Sequence, residues 1–581
     1  MFQQSLDPVS GSLGLSALCG AIPLVVLFVL LGVVRMRAWL AGVIALVVAL
    51  VIAIVGFNMP TGQALLSGSE GAAYGFFPIL WIVLNAIWVY NLTVSTGHFA
   101  VLQRSFGRVS PDPRIQAIII AFCFGALLEA LAGFGTPVAI TVVMLMALGF
   151  KPLKAATVAL VANTAPVAFG AMAVPITTLA TVSHGATGDP RLTADTIGSM
   201  VGRQTPILAI FVPLVLVLIV DGSRGLRQAW LPALVTGVSF GIGQYVASNY
   251  ISVTLADIVA SLFSALVLVG FLRVWHASEA VATVASSAYP GQPALATGTP
   301  GGHGSARTAT PSADVQSPSG LGSGGGAEGI PRDSRRDITL AYAPYAVIIV
   351  LFVVTNITAI KDQLAKEPWT HPVSWPGLHV LSTTGDPVST TTFSLNWLPA
   401  AGTILLISGL ITMAILRIGP GSAARTYVKT YVDLRYAIVT VMAVLGLAYV
   451  MNLSGQTGSM GHWLAGAGGA FAILSPILGW IGTAVSGSDT SSNALFGALQ
   501  VQTAKDAGLD QVLMAAGNSS GGVLGKMISP QNLAIAASAV GMAGKEGDIF
   551  RRVIGWSVVM VIFMCVLVGL QSTGVLSWMV P

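Results

Sequence analysis

Apolar runs recur along nearly the whole chain, separated by short polar or charged segments, and most are long enough to cross a bilayer. In the first half they lie near residues 13–34, 38–56, 72–95, 153–180, 204–221, 228–246 and 251–274. In the second half they lie near residues 338–358, 397–417, 436–452, 511–541 and 552–573. Since a helix needs about 20 apolar residues to cross the hydrocarbon core, this pattern predicts an all-α polytopic membrane protein with about 12 transmembrane helices.

A long polar segment divides these runs into two sets. Residues 277–337 are rich in Gly, Ser, Pro, Ala and Thr, as in TGTPGGHGSARTATPSAD at 297–314. Such a composition buries too little apolar surface to form a packed core. We therefore expect a first membrane repeat at 1–276, a flexible linker at 277–337 and a second membrane repeat at 338–581.

Two apolar stretches are interrupted near their middle and do not fit a simple span. Residues 115–150 are broken by AGFGTP at 132–137, and residues 466–503 are broken by SGSDTSS at 486–492. Irregular backbone at membrane depth is tolerated only where protein or a watery cavity satisfies its hydrogen bonds. Each stretch is therefore predicted to be a re-entrant hairpin whose tip faces the protein interior.

Basic residues in the loops predict how the chain is oriented. Arg37 follows the first span, and Arg104 and Arg114 follow the third. Under the positive-inside rule these loops are cytoplasmic, which places the N-terminus outside. Continuing the count opens the two hairpins from opposite faces of the membrane. No basic residue precedes the first apolar run, so we expect that run to be a retained span rather than a cleaved signal peptide.

An internal repeat supports this inversion. Thr136 is followed after 27 residues by Asn163 in NTAPVAFG, and Thr490 is followed after 28 residues by Asn518 in NSSGGVLG. Each pair predicts a polar break, an apolar half-helix and then an Asn that opens a second break. Two inverted-topology repeats with broken helices near the midplane are an architecture of secondary transporters.

The residues at both hairpin tips are suited to begin a helix inside the membrane. Gly133 and Gly135 permit a turn, and Thr136 is a good N-cap. The corresponding hydroxyls of the second hairpin belong to Ser488, Thr490 and Ser491. A helix N-terminus presents unpaired N–H groups and the positive end of its dipole, so the two tips are candidates for a small-anion site. Helix capping without a ligand would explain the same residues.

Three charged residues lie in or beside the broken segments. An unpaired carboxylate inside the bilayer is costly, which makes Glu129 and Asp489 candidate proton-coupling residues. Alternatively, Asp489 caps its half-helix or binds Na⁺, and Glu129 only pairs with a base. Lys526 is the one base within 511–541. It is a candidate counter-ion for the substrate and equally a candidate partner of either acid.

The composition narrows the class of protein. Of all residues, 54% are hydrophobic and 8% are charged, against about 25% charged in ordinary soluble domains. An excess of Lys and Arg in cytoplasmic loops explains the net charge of +5, so no nucleic-acid partner is expected. The three cysteines and seven histidines form no metal-binding pattern, and we expect neither a metal nor a cofactor. GNSSG at 517–521 lacks the strand-to-helix context of a nucleophile elbow, so no enzyme is predicted.

Several long motifs resemble those of the L-lactate permease family of proton symporters for lactate and glycolate. They are LLEALAGFGTPVAI at 127–140, SGSDTSSNALFGALQ at 486–500 and NSSGGVLGKMISPQNLAIA at 518–536, together with GHFAVLQRSF at 97–106. The chain departs from the family pattern at EALAGFGTP, where EGAAGFGTP is common, and at SDTSSN, where SDTNSN is common. Both departures border the predicted pocket and leave the preferred 2-hydroxy acid open.

The resemblance implies a multi-pass protein of the plasma (inner) membrane that imports L-lactate and related short 2-hydroxymonocarboxylates, D-lactate and glycolate, with protons. The substrate carboxylate would then be received by the tip residues Gly135, Thr136, Thr490 and Ser491. Asn163, Asn493 and Asn518 are candidates for binding the 2-hydroxyl group or for bracing the broken backbone. Two other possibilities stay open: Na⁺-coupled transport of another small organic anion, and a passive anion channel.

Overall fold

The computed structural model describes residues 1–581 except positions 35, 108, 134, 276–332, 356, 386, 389–390 and 543–544. Among the described residues, 11 helices are long and apolar enough to cross a membrane. This confirms an all-α polytopic membrane protein. Of the predicted linker at 277–337, residues 277–332 lie outside the described part of the chain.

The part of the chain before the linker forms thirteen α-helices. They are α1 Leu13–Phe28, α2 Ala38–Val55, α3 Thr61–Tyr74, α4 Trp81–Ser95, α5 His98–Gly107, α6 Pro113–Ala117, α7 Gly125–Leu131, α8 Thr136–Ala147, α9 Pro152–Ala162, α10 Gly170–Thr187, α11 Ala194–Val201, α12 Thr205–Val246 and α13 Ala256–Phe271. A π-helical segment, Ile118–Phe124, joins α6 to α7, so that Pro113–Leu131 is one continuous helical segment and one of the 11 candidate spans.

The part after the linker forms ten more. They are α14 Arg335–Thr355, α15 Thr358–Leu364, α16 Ala401–Ile415, α17 Pro420–Leu453, α18 Gln456–Leu464, α19 Phe471–Ser486, α20 Asp489–Ala507, α21 Gln511–Gly525, α22 Pro530–Ala539 and α23 Glu546–Gln571.

Four short strands lie in polar segments outside the helices. β1 (Phe2–Gln3) pairs in parallel with β3 (Val380–Leu381), and β2 (His371–Ser374) pairs antiparallel with β4 (Thr392–Leu395). These strands were not expected from the apolar pattern, because they lie where the chain is polar. The β1–β3 pair joins the N-terminal segment to the connection between α15 and α16, and β2 and β4 both lie within that connection.

The two spans predicted at 204–221 and 228–246 are confirmed as the two arms of α12. Helical geometry is interrupted at Asp221 and Gly222, and Gly222 has a φ of 61°. The arms then run back against each other, because a Cβ added at Gly237 would meet the backbone of Ile210. Glycine at this crossing therefore allows two backbones to approach closely.

The prediction of one span at 153–180 is wrong. The chain leaves the α-helix at Asn163, forms a 3₁₀ turn at Val167–Phe169 and resumes as α10 at Gly170. Pro166 lacks the N–H that an uninterrupted helix would need. The three residues after Gly170, Ala171–Ala173, all have positive φ between 45° and 60°. This conformation costs free energy for residues other than Gly.

The prediction of one span at 511–541 is also wrong. α21 ends at Gly525, Lys526–Ile528 form a 3₁₀ turn, and α22 begins at Pro530. Asn518 was expected to open this break, yet it lies inside α21, eight residues before it. Its side-chain amide hydrogen-bonds to Asn493 and Gln500 rather than to the backbone of a break, and its own backbone is helical. Each half of the protein thus contains an interrupted hairpin followed by an interrupted helix.

Glycines bring the broken elements together. Cβ atoms added at Gly479, Gly521 and Gly525 would collide with the backbones of Asn518, Pro476 and Trp480, so α19 and α21 lie backbone against backbone. A Cβ at Gly497 would meet Leu179 and Val182, which places α20 of the second half directly against α10 of the first. The interrupted segments of both halves therefore share one buried core.

Candidate functional site

A buried ion pair joins the two interrupted regions. Lys526 Nζ donates to Glu129 Oε1 over 2.6 Å, and the two side chains are 7% and 4% exposed. The second carboxylate oxygen, Oε2, accepts from Asn163 Nδ2 at 2.9 Å. Glu129 in the first hairpin is therefore held by the helix break that follows it and by the break at the end of α21. Lys526 was a candidate counter-ion for the substrate or a candidate partner of a buried acid, and the structure shows it paired with Glu129.

Glycines beside Glu129 make room for its carboxylate. A Cβ placed on Gly170 would lie 2.8 Å from Glu129 Oε1, and one on Gly133 would lie 3.7 Å from the same atom. Gly170 has a φ of −61°, which any residue adopts. Space, not backbone conformation, is therefore what requires glycine at position 170.

Asp489, the first residue of α20, lies in a separate cluster of neutral donors. It accepts from Ser519 Oγ at 2.7 Å, from Asn493 Nδ2 at 3.2 Å and from Thr483 Oγ1 at 3.4 Å. Its residue is 2% exposed. Among the described residues, no Lys, Arg or His forms an ion pair with it. Its negative charge, when present, is balanced by these dipoles, by the N-terminal end of α20 and, without a direct ion pair, by the charge of Lys526.

Asn493 and Asn518 form the centre of this cluster. Asn518 Nδ2 donates to Asn493 Oδ1 at 2.8 Å, and Asn518 Oδ1 accepts from Gln500 Nε2 at 3.0 Å. Both Asn side chains are fully buried. For these residues we predicted either binding of a substrate hydroxyl or bracing of the broken backbone. The contacts are typical of the bracing role.

Three hydroxyls at the helix starts form no hydrogen bond with any residue that the structure describes. Thr136 begins α8 and is half-buried, whereas Thr490 and Ser491 in the first turn of α20 are 8% and 9% exposed. Ser488 is the N-cap of α20 and accepts from the backbone N–H of Ser491 at 3.4 Å. The expectation that Thr136 is an N-cap is wrong. Gly135, with a φ of 83°, takes the N-cap position because only glycine adopts that conformation without strain.

Asn532 connects the two hairpin tips, and the sequence analysis missed it. Its Nδ2 lies 3.4 Å from the carbonyl oxygen of Gly487 in the second tip, and a Cβ on Gly135 in the first tip would lie 3.6 Å from its Oδ1. Asn532 is in the first turn of α22, whose N-cap is Ser529. Three helix N-termini, those of α8, α20 and α22, therefore gather around one position. The Ser-Pro pair that begins α22 is typical of a helix N-terminus, and this sequence signal could have pointed to Asn532.

Asp257 is a further buried acid. It lies near the start of α13 and is 1% exposed. Its Oδ1 accepts from Gln244 Nε2 at 2.7 Å, and Oδ2 has no hydrogen-bond partner among the described residues. Gln244 Nε2 also lies 3.3 Å from the carbonyl oxygen of Ala165, inside the break between α9 and α10. Asp257 therefore lies next to the break that holds Glu129.

Comparison with known proteins decides the family. The family model described as L-lactate permease matches residues 16–573. The chain is 38% identical to an L-lactate permease of Bacillus subtilis (strain 168), over 100% of this chain and 99% of that protein. It is also 38% identical to the glycolate permease GlcA of Escherichia coli (strain K12), over 97% and 96% of the two chains. The chain belongs to the L-lactate permease family.

Membership of the L-lactate permease family confirms the resemblance found in the motifs. Together with the 11 candidate spans it makes the chain a multi-pass membrane protein, consistent with the plasma membrane. Its relatives are named as permeases, which are transport proteins. Among solved structures, the crystal structure of the Alcanivorax borkumensis YdaH transporter is similar, at 14% identity, a TM-score of 0.45 and 88% coverage of each chain.

Proposed function

We propose that this L-lactate permease family member imports L-lactate, and with it D-lactate and glycolate, by symport with protons across the plasma membrane. The names of the relatives support the substrate class: lactate for most, glycolate for one. All three acids share a carboxylate and a hydroxyl on the neighbouring carbon. A site that recognises this pair needs anion-binding N–H groups next to hydroxyl or amide side chains.

The hairpin tips supply the proposed substrate site. Its members are Gly133, Gly135, Thr136, Asn163, Ser488, Thr490, Ser491, Asn493, Asn518 and Lys526. Within this set, the free hydroxyls of Thr136, Thr490 and Ser491 and the N–H groups at the helix starts receive the carboxylate. The buried amides of Asn493 and Asn518 hold the second hairpin in shape, and Asn532 positions both tips. The two membrane repeats, 1–276 and 338–581, are proposed to be inverted, with the hairpins entering from opposite faces.

Proton coupling is carried by Glu129 or Asp489, the buried acids of the two hairpins. The observation that carries the proposal is the ion pair of Glu129 and Lys526, since a carboxylate and a base beside the anion site can exchange partners when a proton binds. Both side chains are almost inaccessible, with exposures of 4% and 7%. Loss of one charge in such a place leaves the other uncompensated, so protonation and anion binding are energetically linked.

Transport by the purified chain in proteoliposomes tests this proposal. We expect accumulation of labelled L-lactate and glycolate above the external concentration when the outside is acid and no Na⁺ is present. The variant Glu129→Gln should lose this uphill uptake. Accumulation that needs Na⁺ would favour the Na⁺-coupled alternative, and uptake that never exceeds the external concentration would identify a passive channel. Failure to move either acid would refute the substrate assignment.

A further inference from the structure

We propose that Lys526 alternates between two carboxylates, that of Glu129 in the empty carrier and that of the substrate once Glu129 has taken up a proton. The inference rests on the proposed function and specifies how proton and anion are coupled there. Proton binding on Glu129 would break the ion pair, free the ammonium group and create the cationic site that a 2-hydroxymonocarboxylate needs.

Lys526 is placed to reach both partners. Its Nζ lies 2.6 Å from Glu129 Oε1, while its backbone begins the turn that leads into α22. Its carbonyl oxygen lies 3.2 Å from Asn532 Nδ2, and Asn532 lies between the two hairpin tips. A long flexible side chain rooted in this turn needs only a change of rotamer to turn from Glu129 toward the tips.

Glu129 keeps a partner when Lys526 leaves. Asn163 Nδ2 donates to Oε2 at 2.9 Å, and an amide N–H can donate to a neutral carboxyl group as well as to a carboxylate. The protonated side chain is therefore not stranded in the core. Gly170 and Gly133 leave room around the oxygen that Lys526 releases.

The balance of buried charge explains why neither ligand would travel alone. The empty carrier holds one positive and one negative charge, Lys526 and Glu129, and is neutral at this site. The doubly loaded carrier holds Lys526 and the substrate carboxylate, with Glu129 neutral, and is again neutral. A proton alone leaves an unpaired ammonium, and an anion alone leaves an excess carboxylate. Unpaired charge in the core is costly, so only the empty and doubly loaded forms can change their exposure readily.

Other titratable groups face the same core and must be tested beside Glu129. Asp489 on α20 acts electrostatically on Lys526, and Asp257 on α13 does so on Glu129. Both are held by neutral donors: Ser519, Asn493 and Thr483 for Asp489, and Gln244 for Asp257. Among the described residues, neither forms an ion pair with Lys526, so neither would release it on protonation.

Binding measurements on the purified full-length chain test the exchange. In the unaltered protein, affinity for labelled L-lactate should fall with rising pH, by up to about tenfold per pH unit, because each anion then binds together with one proton. In Glu129→Gln binding should be strong and independent of pH. Exchange of internal for external lactate should persist in that variant, and accumulation should be lost, because the empty form now carries an unpaired ammonium. Asp489→Asn and Asp257→Asn should keep the normal pH dependence, and so should Lys505→Gln, which removes an exposed lysine.

Removal of the base separates partner exchange from a purely structural ion pair. Lys526→Gln and the double variant Glu129→Gln/Lys526→Gln should bind no lactate at any pH. The double variant removes both charges together and is therefore expected to fold. Lactate binding or uphill uptake by a folded double variant would overturn the proposal. An unchanged pH dependence of lactate binding in Glu129→Gln would overturn it too. So would loss of that pH dependence in Asp489→Asn or Asp257→Asn.

One measurement needs no variant. In weakly buffered solution, at a pH where lactate affinity falls with rising pH, lactate added to the unaltered protein should cause proton uptake, reported by a pH-sensitive dye. Lactate binding without proton uptake would contradict partner exchange. If the unaltered protein neither binds nor transports lactate or glycolate, the proposed function itself fails. If it accumulates them but the double variant does too, only the exchange of Lys526 fails.

Discussion

Asn493 of α20 donates a side-chain hydrogen bond to the carbonyl oxygen of Pro175 in α10 over 3.1 Å. The two residues are 318 positions apart, one in each half of the chain. The same amide contacts Asp489, and the amide oxygen accepts from Asn518. The buried side chain of Asn493 thus connects α10, in the first half of the chain, to Asp489 in the second hairpin.

Asn493→Ala should therefore destabilise the folded protein. The substitution removes the acceptor of Asn518 Nδ2 and one donor each to Asp489 and to the carbonyl oxygen of Pro175. A buried polar group that loses its hydrogen bond costs about 1–3 kcal/mol. Thermal unfolding in detergent should show a clearly lower midpoint for the variant. Thr426→Ala is the control, because among the described residues the partly exposed Thr426 hydroxyl donates only to a carbonyl of its own helix, at 2.9 Å. Equal midpoints for the two variants would show that the Asn493 network adds nothing to stability.

Gly170→Ala should abolish transport while the protein still folds. The new methyl group would lie 2.8 Å from Glu129 Oε1, so the carboxylate must move away from Lys526. The backbone at position 170 tolerates alanine, so the effect should be confined to the ion pair. Uptake of labelled lactate and the elution profile of the detergent-purified protein are the measurements. Gly270→Ala is the control, because no heavy atom lies within 4 Å of the added Cβ, and normal uptake by Gly170→Ala would contradict the role of this space.

Thr136→Ala and Thr490→Ala should each raise the KM for L-lactate and leave the amount of folded protein unchanged. A hydrogen bond to a charged group contributes about 1.5–3 kcal/mol, which corresponds to at least about a tenfold change in affinity. Thr490→Ser keeps the hydroxyl and should stay near the normal KM. Thr440→Ala removes a partly exposed hydroxyl far from both tips in sequence and serves as control. A KM that does not respond to either tip variant would place the substrate elsewhere.

The predicted inversion of the two hairpins is open to chemical labelling. Lys151 follows the first hairpin and Lys505 lies near the end of α20, and both are exposed. Single cysteines at these positions, in a chain whose Cys19, Cys123 and Cys565 are replaced, should react with a membrane-impermeant maleimide from opposite sides. Lys151→Cys should react from the cytoplasmic side and Lys505→Cys from outside. Reaction from one common side would refute the inverted arrangement.

Much of the fold follows from local properties of the sequence. Apolar runs of sufficient length predicted the helical membrane protein, and Gly133 and Gly135 marked a turn that the structure confirms with positive φ. Such signals are readable because the constraint is local: glycine tolerates left-handed backbone and proline lacks an N–H group, whatever surrounds them. The motifs around these turns also identified the family.

Partners across the core were decided only by the tertiary structure. Glu129 and Lys526 are separated by 397 positions, and nothing in their spacing selects this pairing over one between Lys526 and Asp489. The position of Asn518 within a helix and the burial of Asp257 likewise depend on side chains supplied by other helices. In a protein interior, packing brings together residues that are distant in the chain, and the cost of an unpaired charge or amide then determines which of them must meet.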